Sequence, residues 1–417
     1  MDSIHILGGA RLQGKVRIQG SKNAALPILA GTILTNDTTF LKDCPKIADV
    51  YQMVTILKSL GCQISWEKEG LRVKTEGFSC GQMPREAITG MRSSLCLLGA
   101  LIGRCNEVVM EYPGGCVIGE RPIDLHILAL SQMGVKFKEE DGRLRASTAG
   151  LVGADITLAI PSVGATENIL LAAVMAKGET LISGAAREPE IQGLCEYLTA
   201  CGASIEGIGT DRLRVKGGSR LHGAEFTVPA DRIVAGTYLF AAVAAGGNVL
   251  LEEAPVEHME APIRVAREMG AVCTETNEGL YVQKLTRPGE LPFLYTSPYP
   301  GFPTDLQSMV LAVRCVGKGK SLIEERIFED RFRIVEPLKR MGADITVRNS
   351  HCVSVQGVSQ LHGESVEAKE LRGGAALVLA GLVAEGETVI TGCSYIYRGY
   401  ENICKDLREL GARIVSV

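Results

Sequence analysis

Several chemistries are absent from this sequence. Its 13 cysteines form no C-x-x-C pair, and the six histidines (His5, His126, His222, His258, His351, His362) stand apart without the spacing of metal ligands. No zinc, iron–sulfur or other metal site is therefore expected. Disulfide frameworks belong mainly to small secreted domains, so the cysteines of this large chain are expected as reduced thiols. A net charge of −4 provides no basic field for nucleic acid. The opening stretch MDSIHILGGARLQG has neither the basic start nor the long apolar core of a secretory signal. Apolar runs such as ILLAAVMA (Ile169 to Ala176) fall well short of the roughly 18 residues that a membrane span requires. A cytoplasmic protein with no membrane insertion, nucleic-acid partner or cofactor is expected.

Internal repetition is what the sequence does have. A helix ending in a glycine turn and followed by a strand recurs as LKSLGCQI, LSQMGVKF, LTACGASI, AREMGAVC, LKRMGADI and LRELGARI. Their glycines (Gly61, Gly134, Gly202, Gly270, Gly342, Gly411) lie roughly 70 residues apart, room for a complete βαβ-type repeat each time. Glycine just past the last helical residue is the expected left-handed cap. In step with these turns, a small-residue helix, a polar turn and a β-branched strand recur, as in LAGTILTNDTTFL and AGLVAEGETVIT. Each repeat thus reads strand, helix, strand, helix and two strands. The small-residue helices carry Ala, Gly and Leu on every face, which predicts burial on all sides.

Aligning these helices on the strands that follow places Lys22, Arg92, Val163, Arg232, Asp305 and Arg372 at equivalent starts. Four of the six are cations at the end where the helix dipole disfavours positive charge. A bound anion resolves the conflict, because free N–H groups, dipole and side chain would converge on it. Arg121, Arg331 and Arg398 sit near the starts of the second helices and extend the pattern. A ligand with phosphates and a carboxylate is implied. Asp305, in PGFPTDLQS, reads either as a carboxylate favoured by the helix dipole or as a general base facing the cations. Val163, in PSVGATEN, belongs to a short loop suited to presenting backbone N–H groups to phosphate. Cys116 differs from the other cysteines. It stands in YPGGCVIGERP between Gly115 and Arg121, where nearby cations favour the thiolate and the glycines permit a mobile loop.

The stretches GSKNAALPILAG, PGGCVIGERPIDLH, PSVGATEN, PYPGFPTDLQ, LRGGAALVLAG and RGYENI resemble the enolpyruvyl transferases that use UDP-N-acetylglucosamine, over essentially the whole chain. The resemblance implies a two-lobed inside-out α/β barrel with six βαβαββ repeats around buried helices. It implies one lobe over residues 22–229, a second over 1–21 and 230–417, and an active site in the cleft between them. The implied reaction moves the enolpyruvyl group of phosphoenolpyruvate to the 3′-hydroxyl of UDP-N-acetylglucosamine and releases phosphate, the committed step toward peptidoglycan. Both substrates are small polyanions. By the same resemblance Cys116 delivers a proton to the enol carbon and is the target of fosfomycin. Asp305 removes the hydroxyl proton, and Lys22 and Arg398 hold phosphoenolpyruvate. Arg121 and Arg372 are further anion contacts, to which the repeat positions add Arg92 and Arg331, and Asn23 orients the substrates. Pro122, Ile123, Asp124, Leu125, Ser162, Val163, Gly164 and Ile327 line the uridine-diphosphate pocket. Val234, Asp330 and Tyr397 depart from the family pattern. Two alternatives stay open: an enolpyruvyl transferase with another acceptor, such as shikimate 3-phosphate or a uridine nucleotide, and a non-catalytic UDP-N-acetylglucosamine binder.

Overall fold

A computed structural model describes residues 3–81, 83–112 and 122–417. The chain forms two compact units. The first comprises the described residues from Gly20 to Pro229, and the second comprises those up to Gln19 together with Ala230–Val417.

The small-residue segments form six helices: α1 (Lys22–Thr32), α2 (Leu97–Cys105), α3 (Val163–Ala173), α4 (Arg232–Ala245), α5 (Gln307–Cys315) and α6 (Leu371–Val383). Ten of the 11 residues of α1 are buried, so this helix has no wet face to turn outward. In the first unit α2 packs against both α1 and α3; in the second, α4, α5 and α6 each touch the other two. Small residues permit this closeness. A Cβ on Gly99 would lie 2.2 Å from the Asn168 carbonyl oxygen, so any side chain there would force α2 and α3 apart.

Sheets cover these helices, and five share one strand order. In one of them Asp155–Thr157 runs parallel to Glu179–Ser183, which pairs antiparallel with Arg212–Lys216, itself paired with Ser204–Glu206. A parallel pair requires a crossover, and α3 is that crossover. Strands distant in sequence complete the first, fourth and sixth repeats. Glu225–Thr227 pairs with Thr38–Lys42, Leu12–Arg17 pairs with Gly247–Glu252, and Ser3–Leu7 lies between Glu387–Thr391 and Arg413–Ser416. Alternate strand residues such as Ile4 and Ile6, or Val249 and Leu251, turn into the core beside the helices. The inside-out arrangement is reached without a closed barrel, because among the described residues the sheets remain separate. All six repeat glycines adopt positive φ (84° to 98°), as the expected caps require.

The sixth sheet (Glu107–Glu111, Lys136–Glu140, Arg143–Ser147) has three strands. Beside it, Cys80 is disulfide-bonded to Cys105. This corrects the expectation that every thiol is reduced: the two residues are 25 apart in sequence, and the fold brings their Cα atoms to 5.7 Å. The ten free cysteines among the described residues are all buried.

Asn168, fully buried on α3, carries polar bonds through this apolar interior. Its Oδ1 accepts from Gly99 N (2.5 Å) and its Nδ2 donates to the Leu95 carbonyl (3.1 Å). Asn168→Leu keeps the branched shape but removes the acceptor of the buried Gly99 N–H, at a cost of about 1–3 kcal/mol. The single tryptophan, Trp66, lies in the first unit. Its fluorescence in a urea titration should therefore show the midpoint lowered; an unchanged midpoint would refute this role.

Candidate functional site

The repeat-equivalent positions fall at or next to the six helix starts. Lys22 opens α1, with Ser21 as N-cap accepting from Ala24 N at 3.3 Å. The Lys22 ammonium lies 2.6 Å from the carboxylate of Asp49, and the two side chains are 10% and 1% exposed. Asp49 occupies the first turn of its own helix, Ala48–Ser59, where the dipole favours an anion. Asn23 follows Lys22 and is half-buried. Arg92, also half-buried, opens the 3-10 turn Arg92–Cys96 that runs into α2.

Two predicted pocket segments of the first unit come together. Ser162 caps α3 by accepting from Ala165 N at 3.3 Å, and Val163 and Gly164 form the first turn. Pro122 and Ile123 lead into the helix Asp124–Gln132, which carries Leu125 and His126. A Cβ on Gly164 would lie 3.0 Å from His126 Cε1, so the helix start and the histidine ring are in contact only because residue 164 is glycine. His126 Nδ1 is 3.0 Å from Asn168 Nδ2. Pro122 and Asp124 are exposed, Leu125 is half-buried and Ile123 is buried. Cys116 and Arg121 lie outside the described residues.

The second unit holds a compact charge cluster. Asp305 lies in the 3-10 turn Thr304–Leu306 that leads into α5, and Arg331 directly precedes the turn Phe332–Ile334. Arg372 stands in the first turn of α6. Asp305 Oδ1 accepts from Arg331 Nη2 at 2.5 Å, and Oδ2 accepts from Arg372 Nε and Nη2 at 3.2 and 3.1 Å. The arginine side chains are 4% and 3% exposed, against 24% for Asp305. Glu370 caps α6 by accepting from the amides of Arg372 (2.8 Å) and Gly373, and lies 3.8 Å from Arg331 Nη1. Arg372 Nη1 donates to the Tyr400 hydroxyl at 3.3 Å, which also meets Thr237 Oγ1 at 2.8 Å.

Burial works against the charge on Arg331, but Asp305, Glu370 and Glu325 more than offset it and hold the guanidinium above its ordinary range. Burial opposes the charge on Arg372 too, and Asp305 foremost reverses that. Burial also pushes the Tyr400 phenol up, although Arg372 pulls the other way. Arg398 closes the turn Cys393–Arg398, two residues before Tyr400. Ile327 is half-buried, with its N–H donated to Glu325.

Several of the cations expected to meet an anion at helix starts have carboxylate partners within the protein. Lys22, Arg331 and Arg372 are so paired, and side chains cap the starts of α1, α3, α4 and α6. An arriving anion has to share or displace these partners. Asp305 both precedes a helix and is bonded to two of the cations, so its two sequence readings meet in one position. Two departures from the family pattern turn inward: Val234 is 1% exposed, and Tyr397 packs against the core of the second unit. Asp330 pairs with exposed Arg333. Sequence reading missed Asp49, Glu325, Glu370 and Tyr400. Of these only Glu370, directly before an apolar helix, carried a local signal.

The sequence matches the family model of EPSP synthase (3-phosphoshikimate 1-carboxyvinyltransferase) over residues 6–407. It is 43% identical over 417 residues to "UDP-N-acetylglucosamine 1-carboxyvinyltransferase 2" of Caldanaerobacter subterraneus subsp. tengcongensis, with 100% of both chains covered. It is also 43% identical, over 418 residues and again 100% of both chains, to the UDP-N-acetylglucosamine 1-carboxyvinyltransferase of Acinetobacter baylyi. Among solved structures, the enolpyruvyl transferase NikO from Streptomyces tendae superposes with a TM-score of 0.88 at 22% identity, covering 99% of this chain and 98% of that one. EPSP synthase from Acinetobacter baumannii gives 0.75 at 20%, covering 100% and 99%. These two likenesses establish the fold.

Removing the resident carboxylate should expose the cation pair of the second unit. Asp305→Asn is expected to bind inorganic phosphate roughly tenfold more tightly than the unaltered protein, about 1.4 kcal/mol, by titration calorimetry. Equal or weaker binding would show that Asp305 does not occupy an anion's place.

Proposed function

Since the chain belongs to the enolpyruvyl transferase family, we propose that it transfers the enolpyruvyl group of phosphoenolpyruvate to the 3′-hydroxyl of UDP-N-acetylglucosamine, releasing phosphate. The observation that carries this reading is Asp305 between the buried guanidinium groups of Arg331 and Arg372. It joins a partly exposed base to an anion clamp. The full-length relatives named for the UDP-N-acetylglucosamine reaction support that acceptor over shikimate 3-phosphate. The product is a peptidoglycan precursor, and both substrates are small soluble anions. No helix among the described residues is long and apolar enough to cross a membrane.

In this reading the sugar hydroxyl gives its proton to Asp305 while its oxygen bonds to C2 of phosphoenolpyruvate. The methylene carbon takes a proton from Cys116. The resulting tetrahedral ketal then loses phosphate from C2 and a proton from the new methyl group, restoring the double bond. Lys22 and Arg398 hold phosphoenolpyruvate, Arg92, Arg121, Arg331 and Arg372 contact the anionic groups, and Asn23 orients the reactants. Ser162, Val163, Gly164, Pro122 to Leu125 and Ile327 receive the uridine diphosphate. Substrate anions that draw Arg331 or Arg372 away from Asp305 strengthen it as a base, because its charge is then less compensated.

Cys116 is assigned as the reactive thiol partly because the described free thiols are poor candidates. Burial pushes Cys62, Cys201, Cys273 and Cys404 up to about 11, and Cys195 and Cys315 up to about 12. At pH 7.5 these groups are protonated and enclosed. Iodoacetamide or fosfomycin should therefore label Cys116 first, as read by peptide mass spectrometry; preferential labelling of a buried cysteine would contradict the assignment.

A phosphate-release assay tests the whole reading. Release is expected with phosphoenolpyruvate and UDP-N-acetylglucosamine together. Release only with shikimate 3-phosphate would overturn the acceptor, and no release with either would leave a binder. Cys116→Ala should lower kcat by about 10²–10⁴-fold, the range for loss of a general acid. Cys116→Asp should retain turnover because a carboxylic acid also delivers a proton, while epoxide labelling disappears. Inactivity of the Asp variant would show that the thiol does something an acid cannot.

A further inference from the structure

In the second unit, strand Phe293–Tyr295 runs parallel to Lys320–Glu324. Three short loops meet beyond their ends: Thr296, the turn bearing Thr304 and Asp305, and the segment from Glu325 to Arg331. One fully buried carboxylate joins all three. Glu325 Oε1 accepts from Thr296 Oγ1 (2.9 Å), Ile327 N (2.8 Å) and Phe328 N (3.2 Å), while Oε2 accepts from Thr304 Oγ1 (2.8 Å). Thr296 Oγ1 in turn accepts from Arg326 N (2.8 Å), and His351 Nδ1 donates to the Glu325 carbonyl (3.0 Å).

All four bonds to this carboxylate come from neutral hydroxyl and amide groups. A charge so deep costs stability relative to an apolar side chain, so what it contributes is a fixed geometry. That geometry is local to the candidate site. Thr304 directly precedes Asp305, and the loop begun at Glu325 ends at Arg331, the guanidinium 2.5 Å from Asp305.

We propose that Glu325 is a positioning residue for the transfer reaction. It grips the Asp305 turn and the Ile327–Arg331 loop with one carboxylate and so fixes where Asp305 meets the acceptor. The inference rests on the reading of Asp305 as the base. Glutamine has the same reach, since its carbonyl oxygen accepts the three Oε1 bonds and its amide nitrogen can donate to Thr304 Oγ1. Aspartate is one methylene too short to span Thr296 and Thr304 together.

The test is steady-state phosphate release with phosphoenolpyruvate and UDP-N-acetylglucosamine. It uses variants that circular dichroism shows to be folded at the assay temperature. Glu325→Ala and Glu325→Asp should each lose about 100-fold in kcat, the scale of a 1 Å misplacement, and Glu325→Gln should stay within about tenfold of the unaltered enzyme. With Asp305→Ala as the second change, Glu325→Asp should cost less than about threefold more, because a base already absent cannot be misplaced. Equal losses for Gln and Asp, or losses that multiply fully in the double variant, would reduce Glu325 to a structural part and overturn the inference. An inactive unaltered enzyme would overturn the transfer reading and this inference with it. Activity in that enzyme with fully multiplying losses would overturn this inference alone.

Discussion

A helix whose every face is apolar is stable only when something else covers all of its sides, and six such helices govern this protein. Covering them requires the surrounding sheets, and the sheets require the repeated strand order with its parallel crossover. The same enclosure limits where polar chemistry can go. Lateral positions of α1 and α6 are closed to charge, so the one ionic residue of each, Lys22 and Arg372, stands at its start. Lys22, Arg92, Arg232 and Arg372 occupy such starts, with Asp305 just ahead of α5. Asn168 shows what an exception requires: a polar side chain amid the helices is tolerated with its amide satisfied on both sides.

Lys22 and Arg372 find carboxylate partners within their own units. Lys22 has Asp49, and in the second unit two guanidinium groups face the carboxylates of Asp305 and Glu370. With Glu325 behind them, carboxylates outnumber the two guanidinium groups, so that cluster carries no surplus of positive charge. The protein as a whole carries −4, so long-range attraction of anions is not its strategy. Binding at such a site is an exchange of partners. Discrimination then depends on whether a ligand offers the guanidinium forks a geometry as good as the resident carboxylate's.

Much of this was legible in the chain. The glycine turns announced six repeats, the small-residue helices announced burial, and their alignment placed the charged starts. What stayed hidden was long-range. Asp49 is 27 residues from Lys22, Asp305 is 67 from Arg372, and Glu325 is 29 from Thr296, and no local pattern says that such residues meet. The bond between Cys80 and Cys105 escaped for the same reason. Val234 and Tyr397 show the opposite: they stood out as departures from a family pattern, yet both pack against the core of the second unit.

The way the last sheets are completed bears on how the chain comes to be folded. Ser3–Leu7 and Leu12–Arg17 leave the ribosome well before their partners Glu387–Thr391, Arg413–Ser416 and Gly247–Glu252. The first unit needs no such wait, because Glu225–Thr227 closes its opening repeat as soon as residue 227 emerges. During synthesis the earliest strands are therefore held as unpaired edges while an entire unit folds behind them. Such edges are templates for pairing with other chains. Leu12–Arg17 (LQGKVR), with two cations and a glycine among its six residues, is poorly suited to self-association, which fits a strand that must stay single until Gly247–Glu252 is made.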